Sequence, residues 1–264
     1  MSKRSNYIAK TPDHKGVINY TEHEHAIWRD LYTQQFESTA KYAASSYLAG
    51  QALLPMSEQC IPKCHEITEC LMPLTGWSVT PVPALIGFAE FFQMLSKKTF
   101  PAASFIRSRE DFDYVEEPDI FHEIFGHTPL LTDPGFAHFS ARIGDIGSQI
   151  APADYSWLIR LYWFTIEFGL SKQDNGYKAL GSGLTSSPTE LIYSVSSTVP
   201  ERREFNVMDI LRTPYRIDIH QPIYYVIDNI NDLFQAAERD LLGDIKRAQS
   251  LGLFEPTYTT ACQA

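Results

Sequence analysis

Basic residues are scarce in this chain: 22 lysines and arginines face 32 aspartates and glutamates, for a formal charge of −10 at neutral pH. Displacing counterions from nucleic acid, or settling on an anionic bilayer, needs the opposite surplus, so neither is expected as the main partner and a small molecule is. No apolar run reaches the roughly 18 residues that suggest a membrane span. The start, Met1 to Tyr7, lacks the apolar stretch of a secretory signal, and a cytoplasmic location is expected. Cysteine is sparse as well. Cys60, Cys64, Cys70 and Cys262, with His65 beside the second, match neither a disulfide framework nor a paired zinc-ribbon spacing, so reduced thiols are the expectation. Internal repeats, low-complexity tracts and linkers are also missing, which leaves one domain for 264 residues.

What is present is apolar and aromatic: 44% hydrophobic residues, 13% of the chain aromatic, enough for one substantial core. Residues 1–20 read as an extended arm. A helix is expected from Glu22, with Ala26, Ile27, Leu31 and Phe36 on its apolar face, and another from Pro62 to Pro73. Gly76 to Leu85 reads as strand or loop leading into a helix from Gly87 to Lys98, Ala103 to Arg107 as a short strand, and Glu110 to Glu117 as loop. Helices are expected over 134–149, 152–168 and 188–196, a hairpin or tight loop over 176–187, a partly extended stretch over 212–228, and a closing helix over 231–251. This pattern is α+β and predominantly α-helical, with short strands.

The run from Pro118 to Pro129 sets His122 and His127 inside an apolar segment. Two imidazoles close together chelate zinc or iron far better than one. Their spacing is five, whereas the familiar zinc pattern uses four. Five residues turn about 140° around an ideal α-helix at ~100° per residue, which would splay the rings. Either a π-type bulge widens the turn or the helix unravels at Gly126. A third donor is suggested by the segment from Trp157 to Leu170, where only Arg160 and Glu167 carry charge. An ionised carboxylate among such neighbours needs compensation. Arg160 lies seven residues away, roughly 10 Å along a helix, and a cation held by the histidines suits Glu167 better. Two histidines and one carboxylate on one face of a metal are typical of non-haem Fe(II) oxygenases, yet zinc hydrolases use the same donors, with Glu123 then placed as a general base.

Phe105-Ile106-Arg107, the run PDIFHEIFGHTPLL from Pro118, LYWFTIEFGL from Leu161, GSGLTSS from Gly181 and QPIYYV from Gln221 follow one another across residues 76–228. On these segments the chain resembles the pterin-dependent aromatic amino acid hydroxylases. The resemblance implies a single hydroxylase-type catalytic domain over 1–264, without regulatory or tetramerisation domains, as a monomer or homodimer. It implies Fe(II) held by His122, His127 and Glu167, tetrahydrobiopterin alongside, and O2 divided between the pterin and the ring of L-phenylalanine, which becomes L-tyrosine. By the same resemblance Arg107 holds the substrate carboxylate, a task for a planar fork rather than a surface arginine. Trp163 and Phe168 face the substrate ring, although alone they read as plain core. Ser186 is a substrate-side or supporting group near His122, with Glu190 behind it, and Asp119 orients a ligand or caps the histidine helix. Phe91 stacks on the pterin, Glu123 lines its pocket, and Tyr162 sits near the metal. The chain differs from animal members at Ala84 to Phe88 and from the family at Val115 and Glu116. Ile217, where tyrosine-hydroxylating members carry aspartate, favours phenylalanine over tyrosine, and tryptophan is the less favoured alternative substrate.

Overall fold

The computed structural model describes residues 7–113, 115, 117–173 and 176–258. Cys262, Glu116 and the first six residues of the expected arm lie outside the described residues. From residue 7 the arm runs along the segment that precedes the histidines: the Tyr7 ring stacks on Phe105 at 3.8 Å, its hydroxyl meets the Glu117 carboxylate, and the Lys10 amide donates to Ser104 Oγ.

The first helix, α1 (Glu22–Tyr42), begins where Thr21 accepts from the Glu24 amide and Glu24 accepts in return from the Thr21 amide. It buries Ile27, Trp28, Leu31 and Tyr32, while Phe36 stays half exposed and stacks on Tyr32. A short helix not anticipated from the sequence, α2 (Ser45–Leu53), follows and buries Tyr47. Next comes α3 (Cys64–Thr75), stopped by Gly76 in a left-handed conformation that glycine adopts without a Cβ clash. Strand β1 (Ser78–Val82) leads into α4 (Phe88–Ser96) and then β2 (Thr99–Ala103), which pairs parallel with β1 from Ser78↔Thr99 to Val82↔Ala103. The strand expected at 103–107 therefore ends where it was thought to begin. Residues 104–107 leave the pairing and turn toward the histidine segment, where Phe105 O accepts from the Ile120 amide at 2.8 Å.

Two helical runs carry the candidate donors, and neither is α-helical throughout. His122–His127 forms a π-helix, and α5 (Pro134–Gly147) starts beyond it with Asp133 as its cap. The helix expected over 152–168 divides into α6 (Tyr155–Tyr162) and a π-helical end, Trp163–Glu167. The chain then forms β3 (Leu170–Gln173) and β4 (Gly176–Ala179), an antiparallel pair, followed by one turn of helix, α7 (Ser182–Thr185), and by α8 (Pro188–Ser196). Strand β5 (Glu201–Glu204), α9 (Val207–Arg212) and β6 (Ile223–Ile227) complete a sheet of order β4-β3-β6-β5, in which β6 pairs parallel with both β3 and β5. All five β6 residues are buried, as a central strand with both faces covered requires. The closing helix is in fact two, α10 (Ile230–Ala237) and α11 (Leu241–Leu251). Asp240 accepts from the Gly243 amide and restarts the helix after the break. The outcome is predominantly helical with two small sheets, and the histidine segment lies in the core cluster through Phe121, Ile124 and Phe125.

Candidate metal centre

In a π-helix the i→i+5 bonding pattern brings residues five apart onto one face. His122 and His127 consequently meet, Nε2 to Nε2, at 3.1 Å with their rings nearly perpendicular. The second π-helical segment does the same for the carboxylate: the Phe168 amide bonds Trp163 O at 2.8 Å, five residues back, and the widened turn carries Glu167 to the histidines. Glu167 Oε1 lies 3.1 Å from His127 Nε2, and Oε2 lies 3.6 Å from His122 Nε2. Donors on one small cation, with bonds of about 2.1 Å near right angles, are separated by about 3 Å. Glu123 is a competing carboxylate on the same turn, and its oxygen comes within 3.9 Å of His127 Nε2. The shorter separation and the contact with both rings favour Glu167.

Electrostatics separate the two carboxylates further. Burial raises Glu123 well above its ordinary range, and the nearby Glu167 and Asp119 charges add to this. Burial opposes ionisation of Glu167 too, but the charges of His127 and His122, with hydrogen bonds from His127 and Ser182, outweigh it and lower the carboxyl to about 2. Burial also pushes the His122 imidazole down to about 4. A nearly buried carboxylate facing two imidazole nitrogens is a donor set that fits a cation.

One turn of helix braces both segments. Glycine at 126 and 181 makes the approach possible: a Cβ on Gly126 would lie 2.9 Å from Ser182 O, and one on Gly181 only 2.1 Å from Glu167 O. Ser186, on this turn's C-terminal side, has its Oγ 2.8 Å from His122 Nδ1 and donates its own hydrogen to Ser182 O at 2.7 Å. The serine must then accept from Nδ1–H, which leaves the lone pair of His122 on Nε2, facing the other donors. Ser182, which the sequence reading did not single out, places its Oγ 3.0 Å from His127 Nε2 and 2.9 Å from Glu167 Oε2.

Arg107 is no surface residue, being 4% exposed. Its Nε and Nη2 form a fork on Asp119 at 2.8 and 2.9 Å, the backbone amide of Arg107 adds a third bond, and Nη1 reaches Phe112 O. Asp119 also accepts from the His122 amide at 3.1 Å, so it caps the histidine segment and clamps Arg107 at once. Burial works against its ionisation, while the charge and hydrogen bonds of Arg107 and the His122 amide overcome that and hold it below the ordinary range. Trp163 packs between Phe168 at 4.4 Å and Tyr215 at 4.5 Å and donates Nε1–H to Gln221 Oε1. Glu190 does not stand behind Ser186 as expected. Its carboxylate accepts from the Gln221 amide and from the Tyr224 hydroxyl, and it acts on Trp163 through Gln221. Ile217 is 58% exposed. On the opposite flank the Phe91 ring meets Tyr162 edge-on at 5.3 Å, and Tyr162 stacks beside His127 at 6.3 Å.

Over residues 3–261 the chain matches the family described as biopterin-dependent aromatic amino acid hydroxylase. It is 45% identical to the phenylalanine-4-hydroxylase of Pseudomonas aeruginosa over 256 residues, 97% of each chain. The apo structure of the cold-active phenylalanine hydroxylase from Colwellia psychrerythraea superposes with a TM-score of 0.92 at 45% identity, covering 95% of this chain and 97% of that one. The phenylalanine hydroxylase of Chromobacterium violaceum, solved with bound oxidized Fe(III), matches with a TM-score of 0.88 at 34% identity, over 96% of this chain and 92% of the other. Coverage this complete, on top of a donor cluster built from two π-helical turns, identifies the chain as a member of the biopterin-dependent aromatic amino acid hydroxylases.

Proposed function

We propose that this chain hydroxylates L-phenylalanine to L-tyrosine with O2 and tetrahydrobiopterin at a mononuclear non-haem Fe(II) centre held by His122, His127 and Glu167. The observation that carries the reading is the convergence, from two separate π-helical turns, of two imidazole nitrogens 3.1 Å apart with the Glu167 carboxylate, one oxygen 3.1 Å from His127 Nε2 and the other 3.6 Å from His122 Nε2. When bound, the iron and the tetrahydropterin together supply the electrons that activate O2 for insertion into an aromatic ring.

The chain's own residues supply position and exclusion. His122 keeps its Nε2 free because its Nδ1–H donates to Ser186 Oγ. Arg107, held flat by Asp119, presents its remaining N–H donors to the amino acid carboxylate. Trp163 and Phe168 form an aromatic wall for the substrate ring, kept upright by Gln221 and Glu190. Phe91 and Glu123 face the pterin, the first offering a stacking surface and the second a carboxyl group that burial raises above its ordinary range. Tyr162, 7% exposed, closes the metal side and keeps water out.

The same reading takes the chain as one catalytic domain, working as a monomer or homodimer in the cytoplasm. Among the described residues no helix is long and apolar enough to cross a membrane. The test is a discontinuous assay in which Fe(II), tetrahydropterin, phenylalanine and O2 are combined and tyrosine is quantified. Tyrosine is expected from the parent protein and not from Glu167→Gln. A protein that retains zinc and forms no tyrosine with or without the pterin would contradict the reading and favour a hydrolase-type centre.

A further inference from the structure

The geometry points to Tyr47, on α2, as a positioning residue for the histidine pair: its hydroxyl supplies a hydrogen bond that the end of the His122–His127 π-helix cannot make for itself, and so holds His127 in line with His122. The inference rests on the reading that these two imidazoles bind the metal. The last four carbonyls of a helical segment have no partner inside it, and buried ones must find a donor elsewhere. Ile124 O finds two on Thr128, the amide at 3.4 Å and the hydroxyl at 2.6 Å. Phe125 O lacks that recourse, because the residue four places on is Pro129, which carries no N–H. The Tyr47 hydroxyl donates to it at 2.6 Å, from 78 residues away in sequence. Tyr47 and Phe125 are both fully buried, so bulk water cannot take the place of the bond.

The bond acts on the metal centre and not only on the core. Phe125 O belongs to the peptide that joins Phe125 to Gly126, and His127 follows directly. A buried carbonyl robbed of its donor carries a desolvation cost, which the peptide relieves by turning toward another donor. Turning it swings the His127 ring. The same peptide bears on α7 as well, since a Cβ on Gly126 would lie 2.9 Å from Ser182 O. Helix α2 itself cannot drift away from this turn or press further into it. Gly50, three residues after Tyr47 and on the same face, lets α2 lie so close that an added Cβ would fall 1.9 Å from Pro129 O and 2.6 Å from Thr132 Oγ1. The Thr185 side chain of α7 neighbours the Tyr47 hydroxyl, and Gln35 of α1 donates Nε2–H to Thr185 O at 2.8 Å. Helices α1 and α2 therefore hold the turn that braces Glu167 together with the turn that carries the histidines.

The test uses full-length protein titrated with Co(II), whose visible spectrum reports the geometry of its ligands, alongside backbone hydrogen exchange followed by mass spectrometry. Tyr47→Phe keeps the buried ring and removes only the hydroxyl. We expect a changed Co(II) spectrum and a Co(II) dissociation constant raised about 10-fold, the lower end of the effect of removing groups that orient metal ligands. Faster exchange should be confined to residues 120–132 and α2, and the Tm of the metal-free variant controls for folding. A parental Co(II) spectrum and affinity in Tyr47→Phe would overturn the proposal, whatever the change in Tm. Exchange quickened throughout the core would overturn it too, because that marks general loosening and not a local brace. His127→Ala separates the two levels: if it loses Co(II) binding while Tyr47→Phe behaves as the parent, only the role of Tyr47 falls. If His127→Ala binds Co(II) like the parent, the ligand assignment beneath it falls as well.

Discussion

Adding a methyl group at Gly181 tests whether the short helix α7 positions the Glu167 carboxylate. Gly181 has φ −68° and ψ 146°, ordinary extended backbone, so Gly181→Ala imposes no conformational strain and acts through sterics alone. The new Cβ would fall 2.1 Å from Glu167 O, 2.3 Å from Glu167 C and 2.6 Å from Phe168 N, where ordinary contact begins at 3.4 Å. All three atoms are backbone and cannot rotate aside. Relief requires Glu167 and α7 to separate by about an ångström, and overpacking of this kind costs about 2 kcal/mol. For a chain of 264 residues that lowers Tm by about 4 °C. The effect on the centre is larger: moving a reacting group by about 1 Å costs roughly 100-fold in rate. Differential scanning fluorimetry of the metal-free protein, Co(II) titration and the tyrosine assay read the three consequences. Parental metal affinity and turnover, even with a lowered Tm, would show that α7 does not set the Glu167 position.

Glu123→Gln tests the upward shift of this carboxyl. In the metal-free fold burial first, then the Glu167 and Asp119 charges, raise Glu123 well above its ordinary 4.5, so the unfolded chain releases this proton over a pH range in which the folded protein retains it. Stability from this group is therefore lost as pH rises through that range, and the Tm advantage of Glu123→Gln over the parent should be larger at pH 8 than at pH 5. An equal difference at both would refute the shift, and loss of Co(II) binding would make Glu123 rather than Glu167 the ligand. Arg107→Lys keeps the charge but not the fork on Asp119. It should raise KM for phenylalanine well beyond any change in kcat and cost about 2 kcal/mol of stability, the worth of one hydrogen bond to a charged group. An unchanged KM would remove Arg107 from substrate binding.

The histidine pair was legible because an interval of five conflicts with α-helical geometry, and His122–His127 resolves it as a π-helix. The matching bulge at Trp163–Glu167 left no such mark. Trp163 and Glu167 are four apart, a spacing an α-helix already satisfies, and the extra residue shows only in the bond from the Phe168 amide to Trp163 O. Ser182 was invisible for a related reason: a serine between two glycines reads as turn, and its contacts with His127 and Glu167 join segments far apart in sequence. Gln221 and Glu190 share that long-range character. A glutamate at the third position of a helix capped by Ser187 looks local, yet its carboxylate reaches 31 residues onward. The break in the closing helix was more accessible, since Asn229 and Asp240 are both side chains that cap helices and they flank two starts rather than one. Strand β5, Glu-Arg-Arg-Glu, has no apolar alternation and exists because β6 offers it an edge.

The most direct check of the three-donor centre is an anomalous difference map at the iron absorption edge from crystals grown anaerobically with Fe(II). The account predicts one strong peak bounded by His122 Nε2, His127 Nε2 and the Glu167 carboxylate. A peak bound by Glu123 in place of Glu167, or iron scattered over the acidic surface with none between the two π-helical turns, would contradict it.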